Sequence, residues 1–473
     1  MVSTWFERSG VLAEVRKFVA SRSREAFLVG GFLRDRLLGR DPQDLDLAVP
    51  EGAIPLAREL GDLLGGSFFP LDQARDVGRV LLGGVDREFR LDVASLEGRT
   101  VEEDLSRRDF TVNALAIDLQ APLNGADVLD PHGGLQDLED RVLRAVSKGA
   151  FREDPLRLLR GIRLAGELGL RPEPQTEAWM RRDAALVGRV AGERVRDELV
   201  RILSFERAHF YVGQLPRLGM ASAIFPGFPP WPLGNHAVRT VEALEQLLAK
   251  EASEDSGPGV ATAWPRVDRH LGRRISGGRS RLTLLKIVAL LHHLPPTSSA
   301  HPPDMQPSGQ GLEAALRRLR LSTREVRRGT RILRALSEAW RLTGGEDPGH
   351  VEMHRFYREA GGAGVEAVIL SLADWMGARD AGRVEGGLWG VRLNRAGYLL
   401  AAWFEDRHRI LPQPLLDGED LLRRLPGVSG PAIGRLLSDT WEAQVEGQVE
   451  DREGALVLAE RLWGEMRPRQ EGE

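Results

Sequence analysis

Asp44 and Asp46, in the run Asp44-Leu45-Asp46-Leu47, carry the strongest chemical signal in this chain. Side chains alternate faces along a strand, so the two carboxylates share one face while Leu45 and Leu47 turn to a core. Adjacent carboxylates repel, and a cation between them relieves the repulsion. Hard oxygen ligands suit Mg²⁺, which takes one or two protein carboxylates and leaves its other positions to phosphates and water. Upstream, Leu28-Val29-Gly30-Gly31-Phe32-Leu33-Arg34-Asp35 reads as a strand ending at the two glycines, then a helix with Arg34 and Asp35 in its first turn. Paired glycines admit a ligand close to the backbone, and a helix N-terminus points free N–H groups at an anion. Asp92 adds a third carboxylate, opposite in phase to Phe89, Leu91 and Val93. On a neighbouring strand it would complete the metal site or accept a proton from an attacking hydroxyl. Singly, a glycine pair is turn punctuation and an acidic strand face is a solvated edge. Together they read as a phosphate cradle beside a metal pair.

Other nucleotide patterns fail on spacing. Gly30, Gly31 and Gly39 do not give the G-x-G-x-x-G of a dinucleotide fold, and the G-K-[ST] of a P-loop is absent. Phosphoryl transfer assisted by two metals is the chemistry that remains.

Short strands must position these groups. Strand patterns cover residues 26–29, 45–49, 79–82 and 88–94, the last two joined by the turn GGVDR, with one helical stretch over 55–64. Residues 1–25 have the spacing of an amphipathic helix, through Val11, Leu12, Val15, Phe18 and Val19. Beyond Phe151 the strand signal disappears, and helical periodicity runs through 155–168, 176–186 and 193–203 and most of the remaining chain. The stretches 251–281 and 295–310 read as loops, the second a proline-rich linker. The expected class is α+β, a small α/β head with an antiparallel or mixed sheet, followed by an all-helical arm.

The 473 residues fit about three domains of about 150 residues. At 42% hydrophobic and 28% charged, the chain is neither wholly disordered nor collagen-like. No apolar run approaches the ~18 residues that span a bilayer, and MVSTWFERSG lacks a signal-peptide core, so a cytoplasmic protein without membrane partners is expected. Zero cysteines exclude disulfides, thiolate zinc sites, iron–sulfur clusters and a catalytic thiol. The net charge is −4, and only Lys17, Lys148, Lys250 and Lys286 among 65 basic residues are not arginine. The guanidinium fork suits phosphates and base edges. A GC-rich genome produces the same excess, so local motifs must decide whether nucleic acid is bound.

Those motifs resemble a known family. GG-x-x-R-D-x-L-L-G followed by D-x-D, then Arg107-Arg108-Asp109-Phe110-Thr111-Val112-Asn113-Ala114-Leu115, then Glu153-Asp154-Pro155-Leu156-Arg157-Leu158-Leu159-Arg160, look like class II tRNA nucleotidyltransferases and bacterial poly(A) polymerases. Asp130-Pro131-His132-Gly133-Gly134 and Glu193-Arg194-Val195 extend the match, which covers about the first 210 residues. The resemblance implies a nucleotidyltransferase head at 1–148, a helical neck at 149–210, a body at 211–345 and a tail at 346–473, the last two holding a tRNA acceptor arm. It also implies that Asp44 and Asp46 bind catalytic Mg²⁺ and that Gly31 and Arg34 meet the nucleotide phosphates. Arg108 would meet the triphosphate, with Asp109 and Asn113 near the ribose, and Asp154 and Arg157 would read the incoming base.

The last assignment also has its own physical basis. On one helix, Glu153, Asp154, Arg157, Arg160 and Arg163 largely share a face. A carboxylate accepts from the cytosine N4 amine and an arginine donates to ring acceptors, so a base is chosen without a template. Arg160 and Arg163 are then available for phosphates. A salt-bridged solvent face has the same pattern in isolation.

Family members add CC, A or complete CCA, or make poly(A). Between the Asp92 strand and Arg107 stand only residues 93–106, where CCA-adding relatives carry a longer flexible loop. That shortening resembles CC-adding enzymes, so CC addition from CTP is the expectation, with a separate A-adding enzyme completing the end. CCA addition with ATP, A addition and poly(A) synthesis stay open, and no extra phosphoesterase-like or paired regulatory domains of some A-adding relatives are visible. Around His236 and Leu290-Leu291-His292-His293, the chain resembles an HD phosphohydrolase region, but His293 stands where that pattern has aspartate. The expectation there is a helical scaffold, since a hydrolase would need an aspartate from elsewhere. Residues 418–437 resemble the family's tail, where a helix N-terminus near Pro431 could take a tRNA phosphate or simply pack. A non-catalytic RNA-binding scaffold with a dead pocket is the alternative of a different class.

Overall fold

The structure, a computed structural model, describes residues 10–466 apart from 23, 43, 84–87, 122–127, 231–234, 250–257, 296–308 and 380–387. Most of the GGVDR turn and of the 295–310 linker therefore lie outside the described residues, as do residues 1–9 of the first helical reading. The chain divides into two compact units, Met1–Glu198 with Leu218–Ile224, and Leu199–Arg217 with Phe225–Glu473.

The first unit opens with α1 (Gly10–Ser21), which buries Leu12, Val15 and Val19, as its apolar spacing requires. Next in the chain come β1 (Phe27–Val29), α2 (Gly30–Leu37), β2 (Asp44–Val49), α3 (Ala53–Leu64), β3 (Ser67–Asp72), β4 (Val77–Gly83), β5 (Glu88–Ser95), α4 (Val101–Ser106) and β6 (Ala116–Asp118). The strands form one sheet in the order β3-β4-β5-β2-β1-β6. Only β2 and β5 run parallel, so the sheet is mixed. A parallel pair needs a long crossover, and α3, β3 and β4 supply it. Helix α3 lies so close on β4 that a side-chain carbon at Gly78 would stand 2.6 Å from Ala57 Cβ.

Three local features differ from the expectation. Helix α2 starts at Gly30, which places Arg34 and Asp35 in its second turn and not its first, because Gly30 adopts φ +72° and turns β1 directly into the helix. Strand β3 went unread because its side chains are mostly exposed and leave no alternation. The run over 153–168 is not one helix. After α5 (Gly134–Glu139) and β7 (Val142–Leu143), it breaks between α6 (Ala150–Glu153) and α7 (Arg157–Leu168), with Asp154 extended at φ −137°, ψ 101° before Pro155. Beyond it, β8 (Arg171–Pro172) pairs with β7, then come α8 (Pro174–Asp183) and α9 (Gly192–Leu203).

The second unit is helical. Its longer helices are α10 (Asn235–Ala249), α11 (Pro258–Gly272), α12 (Arg281–Leu291), α13 (Gly309–Arg318), α14 (Thr323–Gly344), α15 (His350–Ala360), α16 (Ala363–Arg379) and α17 (Trp389–Phe404). Helix α16 packs against α10 and α14 and buries Val365, Val368, Ile369, Leu372 and Trp375 around its circumference. A central helix is apolar on all sides. Helix α11 corrects the reading of 251–281 as a loop, since Ala263, Trp264, Val267 and Leu271 are buried at helical spacing. The C-terminal α18 (Gly418–Arg424), α19 (Gly430–Val445) and α20 (Arg452–Met466) close over a small core of Leu421, Leu436, Ala455 and Ala459. Among the described residues, no helix is long and apolar enough to cross a membrane.

Candidate active site

The register of the sheet brings the three carboxylates together. Asp46 on β2 stands opposite Asp92 on the parallel β5, and Asp92 stands opposite Arg79 on β4. Arg79 grips Asp92 with two bonds, Nε to Oδ1 and Nη2 to Oδ2, each 2.7 Å. Arg90 Nε reaches Asp44 Oδ1 at 2.7 Å. Burial pushes the Asp46 carboxyl up to about 6, with Asp92 and Asp44 adding repulsion against the pull of Arg108 and the Gly31 backbone N–H. A carboxylate so crowded by its own kind and so short of water is a site where a divalent cation is favoured.

Gly30 closes the cradle. A side-chain carbon there would stand 3.0 Å from Asp46 Oδ2 and 3.1 Å from Arg108 Nη1. Arg108 is held by Asp104 of α4, whose Oδ2 accepts its Nε at 3.1 Å and Nη2 at 2.9 Å. Thr100 caps α4 by accepting the Glu103 N–H.

Behind the cradle runs a buried polar chain. Arg34 Nη1 donates to Asn113 Oδ1 at 2.5 Å, and Asn113 Nδ2 donates to Asp109 Oδ1 at 2.9 Å. Asp109 Oδ2 accepts Arg160 Nε at 2.9 Å. Burial alone would raise Asp109, but Arg160, Asn113 and the Phe110 N–H outweigh it and hold the carboxyl below its ordinary range. Arg160 is thus engaged by Asp109. Arg163, buried, is engaged by Glu198 and Glu167, whereas Arg160 keeps 39% of its side chain exposed beside that pairing.

Asp154 and Arg157 border an open cleft of about 1730 Å³, including its solvent-filled mouth, with Arg75, Arg107, Arg189 and Arg194 also on its walls. The break between α6 and α7 turns the Asp154 carboxylate toward Arg194, whose Nη2 lies 2.8 Å from Oδ2. Burial raises Asp154, yet Arg194 and the Leu156 N–H more than compensate, so it is held ionised. Arg157 donates to the carbonyls of Arg107 (2.5 Å) and Ala150 (3.2 Å), which fixes its guanidinium at the cleft edge.

Comparisons with known proteins agree with this arrangement. Residues 26–144 match the family model for the poly A polymerase head domain, and residues 169–231 match one for a probable RNA and SrmB-binding site of polymerase A. The chain is 33% identical to the CC-adding tRNA nucleotidyltransferase of Geobacter sulfurreducens, over 96% of each chain. The chain belongs to the tRNA nucleotidyltransferase and poly(A) polymerase family. The A-adding tRNA nucleotidyltransferase of Deinococcus radiodurans is 32% identical over 94% of this chain and 96% of its own. The solved Thermotoga maritima CCA-adding enzyme complexed with tRNA shares the fold, with TM-score 0.64 and 21% identity over 98% of both chains.

As a family member the protein is a nucleotidyltransferase, and its head has partners that sequence reasoning missed. Arg79, Arg90 and Asp104 pair with site residues, but only the sheet register and the α4 turn put them there. Asp104 did leave a signal, lying four residues before Arg108. The Asp130-Pro131-His132-Gly133-Gly134 motif braces the fold: Asp130 accepts the Gly134 and Leu135 N–H groups at the start of α5. A side-chain carbon at Gly134 would lie 2.2 Å from the Thr111 carbonyl, so only glycine lets α5 support the Thr111–Asn113 turn.

Proposed function

We propose that this protein is a cytoplasmic, template-independent tRNA nucleotidyltransferase that adds two cytidines from CTP to a tRNA 3′ end and then stops. The observation that carries the CC reading is the span from Asp92 to Arg107. It is taken up by the end of β5, a short turn and the capped helix α4, and α4 is tied to the site through Asp104 and Arg108. No length is left in it for a free loop that could reshape the pocket from C to A.

Asp44 and Asp46 would hold Mg²⁺, which when bound neutralises charge on the transferring phosphate. Gly31 and Arg34 would cradle the phosphates, and Arg108 the triphosphate, in the geometry that Asp104 imposes. Asp109 and Asn113, fixed by Arg34 and Arg160, would meet the ribose. Arg163 would brace α7 through Glu198 beneath these groups. Asp154 would accept the cytosine N4 amine, aimed by Arg194, while Arg157 donates to the ring acceptors. The tRNA 3′-hydroxyl oxygen attacks the α-phosphorus as the bond to pyrophosphate breaks. Asp92 would take the hydroxyl proton: Arg79 uses two of its roughly four acceptor positions and leaves the others. The neck, residues 149–210, would carry base selection, and the body and tail, 211–345 and 346–473, would hold the acceptor arm.

The test is single-nucleotide extension of three tRNA transcripts, ending at the discriminator base, after one C and after CC, with CTP, ATP or both. Two cytidines and then a stop, even with ATP present, are expected. Addition of A after CC would overturn the CC reading: C and A together mean a CCA enzyme, A alone an A-adding one. No incorporation on any RNA would mean a binding scaffold.

A further inference from the structure

Arg281 opens α12, the end of a helix that disfavours a cation, and no carboxylate among the described residues is bonded to it. Around it stand Arg328 of α14, His270 of α11 and the fully buried Glu366 of α16. We propose that Arg281 and Arg328, with the exposed Arg273 and Arg331 at the rim, form a binding site for one phosphate group, carried by an RNA backbone or free in solution. The site belongs wholly to the second unit, and the proposal does not depend on which nucleotide the protein adds.

The hydrogen bonds around His270 leave Arg281 without a counter-charge. Burial alone would raise Glu366, but His270 and Arg328 outweigh it and hold the carboxyl below its ordinary range, so it is an anion that can only accept. Its Oε1 takes Arg328 Nε at 2.8 Å and Nη2 at 2.5 Å, and its Oε2 takes His270 Nε2 at 3.1 Å. The ring proton facing Glu366 therefore sits on Nε2, which cannot accept from an arginine. Arg281 Nη1 lies 2.9 Å from Nε2 and 3.0 Å from Nδ1, so Nδ1 is the one ring atom left to accept from it. Arg328 Nη2 lies 3.3 Å from the same Nε2. Two guanidinium groups thus crowd one imidazole, and Glu366 neutralises one of them. Burial, Arg328 and Arg273 push the Arg281 guanidinium below its ordinary pKa against the pull of Glu366. A half-buried cation crowded by its own kind is a place where an anion is favoured.

A structural role does not account for Arg281. Arg328 and His270 already tie α14, α11 and α16 together through Glu366, and Arg328 Nη2 also reaches the Gly362 carbonyl at 3.0 Å. Arg281 Nε and Nη2 and Arg328 Nη1 donate to nothing among the described residues. Two guanidinium forks on different helices match the several oxygens of a tetrahedral oxyanion, and the N–H groups at the start of α12 add to the field. The turn before α16 leaves room beside them. A side-chain carbon at Gly362 would stand 3.7 Å from both Arg328 Nη2 and His270 Cε1, so glycine keeps that side of the cluster uncovered. Gly361 next to it adopts φ +54°, and Arg331 Nη1 lies 3.9 Å from where its side chain would begin.

Thermal melts of the full chain in sodium phosphate and in sodium chloride of equal ionic strength test the site, with Arg461→Gln at an exposed position of α20 as the charge control. Phosphate should raise the melting temperature of the parent and the control alike, because it binds the folded state. Arg281→Gln should lose at least half of that rise. Phosphate held in the head contributes equally to all three proteins, so the difference reports this site. Fluorescence anisotropy with labelled tRNA then separates the sources. If the phosphate belongs to an RNA backbone, Arg281→Gln should lower the slope of log Kd against log salt by about one. A lost phosphate shift with an unchanged slope assigns the site to free phosphate. If Arg281→Gln fails to fold, Arg273→Gln at the exposed rim decides. A folded variant that keeps both the full phosphate shift and the parent's salt slope would overturn the proposal.

Discussion

Asp46 concentrates the electrostatic tension of the head. Its carboxyl is pushed up to about 6 by burial and by Asp92 and Asp44, so in the metal-free protein ionising it costs folding free energy. The folded value lies above the ordinary 3.8, so the stabilisation from a protonated Asp46 is full below that value and is lost as pH rises through about 6. Asp46→Asn removes this loss. The metal-free variant should melt above the parent, by a margin that grows from pH 4 to pH 6 and then levels off. Transfer by the variant should fall about 10²-fold or more, as for loss of a group that stabilises transition-state charge. Because metal ligands must be deprotonated, divalent-ion affinity of the parent should drop about tenfold per pH unit below about 6. Calorimetric melts and isothermal titration across that range check both halves. An Asn variant that melts below its parent at pH 7 would contradict this account of the site.

At the scale of elements, the β1–α2 junction decides whether the cradle forms. Gly30 combines a positive φ with a wall of functional atoms, Asp46 Oδ2 and Arg108 Nη1, within about a van der Waals contact of the missing side chain. Gly30→Ala should therefore cost about 1–2 kcal/mol in stability from the left-handed backbone alone. It should also lower kcat/KM for CTP by more than tenfold, since the alanine carbon displaces a site group. Comparing denaturant midpoints with transfer kinetics separates the effects, and a variant with altered stability and normal kinetics would refute the close-packed cradle. Strands β2 and β5 were legible because Leu45, Leu47, Leu91 and Val93 alternate with polar residues. Strand β3 was not, because an exposed edge has no buried face to print a pattern. The 153–168 run misled for a different reason: charges at helical spacing persist across Asp154 and Pro155, where the backbone breaks the helix.

Over the whole molecule, the formal charge of −4 runs against binding a polyanion, so any tRNA affinity must come from local arginine clusters. Arg75, Arg107, Arg189 and Arg194 on the cleft walls form one such cluster. Binding carried by a few phosphate contacts releases counterions, so the Kd for tRNA should rise about tenfold or more between 50 and 200 mM salt. Fluorescence anisotropy with labelled tRNA measures this, and a salt-independent Kd would mean that arginine–phosphate contacts do not carry the binding.

The grouping of the candidate site residues in the head was written in the sequence by itself. Asp44, Asp46, Gly31, Arg34 and Asp92 lie in short segments whose local periodicity gives each residue a face, and local periodicity survives without knowledge of the fold. So did the family, through motifs that are contiguous in the chain. Only the tertiary structure decided what each group is paired with. Arg79 on Asp92 and Arg160 on Asp109 are meetings set by sheet register and helix packing. Asp374 shows the same limit most sharply, since it reaches His292 across 82 residues of chain, in a unit where the local pattern lacked the carboxylate. Spacing along a chain orders neighbours on one element, whereas distance between elements is fixed by how their buried faces pack.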